Sequence, residues 1–204
     1  RRWVFLDELT ERFEIRLLPA RFDEVPEDID LVALIHPPVL GEQTAFALDQ
    51  YLLAGHPLFV AVDPFSRYEY ASREGAQSAQ PQAFASDLPR FFEAWGVRYD
   101  PLYVVADLRS ATRLNRRTAQ AQRHPAWLTL STFKSGHPVV APLNELLLVE
   151  AGALMVDSLQ STDADILLRS SPLSDTITSP LLKTADIESL NYQVIERDNP
   201  LPLA

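Results

Sequence analysis

The sequence predicts a single α/β domain over residues 1–195, built on a predominantly parallel sheet flanked by helices, with 196–204 as a C-terminal linker. Three observations predict it. Two short apolar runs, Leu31-Val32-Ala33-Leu34-Ile35 and Leu58-Phe59-Val60-Ala61-Val62, bracket a stretch of helical periodicity. Strands apolar on both faces belong in parallel sheets covered by helices on each side. With 204 residues and 47% hydrophobic content, the chain is also long and apolar enough to bury a real core.

Taken in order, Trp3 to Phe13 has helical spacing, with Trp3, Phe5, Leu6 and Leu9 as its apolar members. Glu14 to Leu18 reads as a strand. The first apolar run stops at His36-Pro37-Pro38. Gly41-Glu42-Gln43-Thr44 then opens a helix to about Ala54, with acidic Glu42 near its positive end. Ala45, Leu48 and Leu52 fall on one stripe, with Phe46 and Leu53 at its edges. Gly55 stands where a left-handed cap is wanted, and Pro57 prevents continuation. The second run ends at Asp63-Pro64, completing a strand, helix, strand crossover that should be right-handed and parallel.

Residues 64–87 read as a long loop containing the low-complexity stretch Ala76 to Gln82. A loop of that length is a functional lid or a disordered insertion, and the Gln/Ala/Ser content favours the second. Asp87 suits the N-cap of a short helix through Trp95, with Pro89 in its first turn and Gly96 as its stop. Val97 to Asp107 is extended, turning near Asp100-Pro101. Arg109, Arg113, Arg116, Arg117 and Arg123 form a basic island without an intervening acid, on a hairpin or loop over 109–124. Trp127 to Ser131, Leu146 to Val149, Ala153 to Val156 and Ile166 to Leu168 are further strands, and Thr176 to Lys183 is a short closing element.

Composition excludes several functions. A formal net charge of -10 disfavours duplex nucleic acid, whose binders need a basic surface to displace counterions. The absence of cysteine removes disulfides, thiolate metal sites and thiol nucleophiles together. No apolar run approaches the roughly 20 residues that span a bilayer, so the segment itself is expected to be soluble. The six glycines include no pair close enough for G-x-G-x-x-G or a Walker loop. No cofactor is implied.

Metal and nucleophile signals are sparse. His36, His56, His124 and His137 are widely spaced, and neither H-E-x-x-H nor H-x-H occurs. A folded site could still combine His36 with Asp63, because both follow apolar strands of one crossover and ligands bind beyond the carboxyl ends of such strands. The plain alternative is that both residues bond to nearby backbone. Ser66 lies just beyond the second strand, but a G-x-S-x-G elbow is absent. The pairs Asp28/Asp30 and Asp163/Asp165 read as solvated turn residues. The arginine island, with Arg113, Arg116 and Arg117 as its candidate binding residues, could meet anionic lipid, an acidic partner or a polyanionic glycan. It could equally be a solubilising hairpin.

The segment Asp28 to Pro37, followed by Leu40-Gly41-Glu42-Gln43-Thr44 and Ala47 to Gly55, resembles the GldG-type family, auxiliary components of ABC transport systems named for gliding motility. Leu58 to Pro64, Phe92 to Val97, Tyr99-Asp100-Pro101 and Val104 to Asp107 continue the likeness, and Pro125-Ala126-Trp127-Leu128 fits more loosely. The resemblance runs from about residue 12 to about residue 170. Its I-H-P, D-Q-Y and V-D-P elements are short but distinctive in that order and spacing. Where the family pattern has a second glycine after the helix, this chain has His56-Pro57, which affects the turn.

The resemblance implies a flavodoxin-like or class I amidotransferase-like fold and a membrane-anchored, extracytoplasmic setting, on the periplasmic side of a bacterial inner membrane, with anchors outside this segment. It implies no catalytic residues. Expected partners are ABC transporter permease or ATPase subunits or other membrane components. The expected function is a non-catalytic auxiliary domain that binds a partner protein or a substrate such as a glycan. The alternative is a hydrolase or transferase working at the carboxyl edge of the sheet near His36, Asp63 and Ser66.

Overall fold

The computed structural model describes residues 4–72, 84–114, 122–157, 163–195, 198 and 200–204. The chain divides into two compact units, Arg1–Ala33 with Leu40–Phe59, and Leu34–Val39 with Val60–Ala204. Strands β1 (Val32–Ile35) and β2 (Leu58–Ala61) pair with each other and contribute residues to both units.

In the first unit, helix α1 (Val4–Thr10) buries none of its residues. Residues 14–18, expected as a strand, form no regular element. Their alternation fits a strand, but a strand needs a neighbouring ladder, and here Leu17 is exposed while Arg16 is held by Asp28 at 2.7 and 2.9 Å. Helix α2 (Glu42–Leu53) buries Thr44, Ala47, Leu48 and Tyr51, not the expected Ala45, Leu48 and Leu52 stripe. The two polar members of that face find partners. Thr44 Oγ1 bonds the N–H and carbonyl of Phe22, and the Tyr51 hydroxyl donates to the Ile29 carbonyl. Gly55 adopts φ +91, a left-handed conformation that suits glycine at this helix end.

The β1–β2 pair is parallel. The Val32 N–H bonds the Pro57 carbonyl and the His36 N–H bonds the Ala61 carbonyl, a constant offset along both strands. Every other sheet pairing among the described residues is antiparallel. The expectation of a predominantly parallel, flavodoxin-like or class I amidotransferase-like sheet is therefore corrected: among the described residues the strands form four small sheets, of which only this one is parallel. The inference failed at burial. Ala33, Ile35 and Phe59 are exposed, so runs that read as apolar on both faces are covered on one only.

The second unit carries the remaining strands: β3 (Val97–Arg98), β4 (Tyr103–Asp107), β5 (Ala111–Leu114), β6 (Gln122–Leu130), β7 (Leu146–Val149), β8 (Met155–Val156) and β9 (Ser174–Thr178). β3 pairs with β8, β4 with β9, and β5-β6-β7 form a three-stranded sheet. Its helices are α3 (Arg67–Ser72), α4 (Pro89–Trp95), α5 (Leu181–Thr184) and α6 (Ile187–Asn191). β4 shows why two clusters share one strand. Period-two alternation sends Val104 and Ala106 into a cluster with Phe65, Phe84 and Ile177, and Val105 into another with Leu128, Leu130 and Leu168.

Helix α3 lies inside the span read as a long loop, while residues 73–83, including Ala76 to Gln82, lie outside the described residues. The end of the chain, whose composition suggested a linker, packs inward: Leu201 and Leu203 are buried, and the Leu203 N–H bonds the Leu168 carbonyl. Asp107, at the end of β4, is fully buried and accepts from the N–H and hydroxyl groups of Ser110 and Ser171 and from the Arg109 N–H, at 2.6–3.0 Å.

Candidate functional site

Two adjacent parallel strands that end together present the residues following them at one edge. His36 and Asp63 follow β1 and β2 in this way, and both lie in the second unit. Nδ1 of His36 stands 3.0 Å from Asp63 Oδ2, and its Nε2 stands 3.9 Å from Glu69 Oε2 on α3. Backbone bonds fix the pair: the Asp63 N–H donates to Ser86 Oγ at 3.0 Å, and the Ser86 N–H returns to the Asp63 carbonyl at 2.9 Å.

His36 adopts φ +47, in the left-handed region, and Pro37 follows it. That conformation costs a non-glycine residue about 1–2 kcal/mol, so its surroundings must hold it there. The one other non-glycine residue with positive φ among the described residues is Glu150, at φ +57. It belongs to the same neighbourhood. Strain of this kind collects where geometry serves something besides stability.

Glu150 follows β7 directly, with its side chain fully buried. Arg67 holds it through a two-pronged ion pair, Nε to Oε2 at 3.1 Å and Nη2 to Oε1, and the Trp127 indole N–H faces Oε1 at 3.5 Å. Such fork geometry is the strongest form of carboxylate recognition. The guanidinium also lies 5.0 Å over the Phe65 ring and 5.8 Å over Tyr70, so its planar face is occupied as well as its edge.

The electrostatics join these pieces. Burial pushes the Asp63 carboxyl up, while the charge and hydrogen bond of His36 pull it down and the charge of Glu69 pushes it up again. Burial likewise raises Glu150, Arg67 and Trp127 oppose it, and the Asp63 charge adds to the rise. Tyr99 is pushed far upward by burial and then by the charges of Asp63, Asp87 and Asp100. Two polar atoms here, Asp63 Oδ1 and the Tyr99 hydroxyl, are buried without a hydrogen-bond partner among the described residues. A Cβ on Gly152 would meet Tyr99 Cε2 at 2.6 Å, so glycine is required for the close approach. A groove of about 320 Å³ in this unit is lined by Tyr99, Asp87, Phe92 and Asp157 among others, and neither His36 nor Asp63 lines it.

Of the residues singled out from the sequence, His36 and Asp63 thus come together. Ser66 does not join them: its hydroxyl accepts the Glu69 N–H at 3.3 Å and caps the first turn of α3, while its own N–H bonds the Phe84 carbonyl. Arg113 is exposed on β5, directly opposite Arg123 on β6. Arg116 and Arg117 lie outside the described residues. Arg67, Glu69, Ser86, Tyr99, Trp127 and Glu150 escaped the sequence reading. Arg67 and Glu69 stood close behind Asp63-Pro64 and could have been noticed; Glu150 lies 83 residues from Arg67, with no local pattern to mark it.

A family model described as an ABC-type uncharacterized transport system matches residues 1–204. The chain belongs to that family. It is thus an auxiliary component of an ABC transport system. No curated protein and no solved structure matches it. No helix among the described residues is long and apolar enough to cross a membrane, and none of their His, Asp and Glu side chains form a group of three arranged for a metal ion.

Proposed function

We propose that the chain is a non-catalytic extracytoplasmic domain of a GldG-type ABC transport system, carried by membrane anchors beyond this segment. On this reading the His36–Asp63 cluster and the Arg113 face engage a membrane partner such as the permease, or a substrate such as a glycan. What supports it is how the side chains are already engaged. In a catalytic triad the histidine turns one nitrogen to a carboxylate and the other to a nucleophile. Here both ring nitrogens of His36 face carboxylates, and the Ser66 hydroxyl caps a helix.

The test is recovery of transporter subunits with the full-length, membrane-embedded protein. Replacing His36 and Asp63 with alanine and asparagine, and separately Arg113, Arg116 and Arg117 with glutamine, should each reduce the subunits recovered. Unchanged recovery in both variants would remove this reading. The hydrolase or transferase alternative is favoured by one observation, the 3.0 Å His36–Asp63 bond. Labelling of Ser66 by a fluorophosphonate, lost in Ser66→Ala, would establish an activated hydroxyl there; no labelling counts against it.

A further inference from the structure

The segment from Phe22 to Ile29 and helix α2 enclose a groove of about 300 Å³ that lies wholly within the first unit. Two ties build it. Thr44 Oγ1 bonds Phe22 at both its N–H and its carbonyl, at 3.3 and 3.1 Å, and the Tyr51 hydroxyl donates to the Ile29 carbonyl at 3.0 Å. The chain between these ties is anchored at both ends before any partner arrives, which lowers the ordering cost of binding.

The lining combines two chemistries. Val25, Pro26, Ala54 and Phe46 supply apolar surface, and Phe46 is 63% exposed on the outward side of α2. Asp23, Glu24 and Glu27 also line the groove; all three are exposed, and none has an ion pair or hydrogen bond among the described residues. Residues 23–30 hold five carboxylates and no base, and Arg16 neutralises only Asp28. An anionic lipid surface or a phosphate backbone would be repelled by such a rim. A small cation would leave Phe46 in water. The complementary occupant is extended, cationic and partly apolar.

We propose that this groove docks a basic, amphipathic protein segment, an apolar side chain covering Phe46 while lysine or arginine side chains meet Asp23, Glu24 and Glu27. The groove shares no residue with the His36 cluster or the Arg113 face, so the two readings stand or fall independently.

The probe is a short amphipathic peptide with lysines on one face and leucines on the other, titrated calorimetrically into the purified chain beside a glutamate–leucine counterpart. Phe46→Ala should weaken binding of the lysine peptide about tenfold, the loss expected for one uncovered aromatic ring. The triple variant Asp23→Asn, Glu24→Gln, Glu27→Gln should weaken it comparably and flatten its salt dependence. The control Glu145→Gln, Asp163→Asn, Glu188→Gln carries the same net charge and should bind as the parent does. A control that loses as much as the groove variant, or a glutamate peptide that binds equally well, would overturn the proposal. So would self-association in sedimentation that Phe46→Ala abolishes, since the occupant would then be a second copy of the chain.

Discussion

Two acidic residues in the second unit, Asp107 buried and Asp63 half-buried, treat their enclosed oxygens in opposite ways. Asp107 is fully buried and meets donors from Arg109, Ser110 and Ser171 on both carboxylate oxygens. Asp63 keeps one oxygen buried and unpartnered, beside a histidine in a strained backbone conformation. Satisfying a buried carboxylate with backbone and hydroxyl donors is the architecture of stability, because each donor would otherwise be stranded. Leaving one oxygen without a partner gives up stability at that point, and natural proteins do so chiefly where a site is kept for another use. The contrast separates a structural carboxylate from a candidate functional one within a single unit.

That contrast has consequences for stability, and the largest falls on Asp107. Asp107→Ala strands the donors gathered around it and should lower the unfolding free energy by about 3–4 kcal/mol, read from urea denaturation. A loss under about 1 kcal/mol would show that water replaces the carboxylate, and the distinction between the two sites would collapse. Glu150→Gln removes the charge from the Arg67 pair. Breaking a buried pair costs about 3–5 kcal/mol when both partners are enclosed. Arg67 is 36% exposed, so water can take over part of its solvation and about 1–2 kcal/mol is expected.

Asp63→Asn should have the smallest effect, within about 1 kcal/mol at neutral pH. Its signature is in pH. Burial raises the Asp63 carboxyl in the folded chain, so the folded state holds that proton more tightly than the unfolded one. The contribution is present below the unfolded value and is lost as pH rises through the folded one. An asparagine side chain cannot titrate, so the difference between variant and parent should shift in the variant's favour across that rise. Asp28, Asp165 and Asp186 are lowered and produce the opposite slope, but they are common to both proteins and cancel in the difference. A pH-independent difference would mean that the pull of His36 cancels the push of burial, so that the carboxyl holds its proton equally well in both states.

How far the site could be read in advance follows from sequence distance. His36 and Asp63 were legible because each closes an apolar run, and pairing those runs side by side brings their ends together. Glu69 and Arg67 lie on the next turn of chain after Asp63. Trp127 on β6, Glu150 just after β7 and Tyr99 just after β3 arrive from distant parts of the chain, and nothing in their own neighbourhoods marks them. Many elements were legible one by one, but the expected strands Glu14 to Leu18 and Ile166 to Leu168 form no regular element, and the sheet arrangement was not legible. The C-terminal ends of α2 and α4, and the glycines at 55 and 96 with left-handed φ, follow from local rules of helix termination, whereas Leu88 rather than the expected Asp87 is the N-cap of α4.

The sequence by itself determined these local features: the glycine stops of α2 and α4, the positions of β1, β2 and β7, the parallel pairing of β1 with β2, and an acidic chain without thiols. Tertiary structure alone decided which faces were covered, that β4 pairs antiparallel with β9, that Leu201 and Leu203 enter the core, and that Glu150 meets Arg67. The physical reason is that hydrophobic burial is non-directional. An apolar run specifies that some surface should be removed from water, while the partner that removes it is chosen by the whole chain.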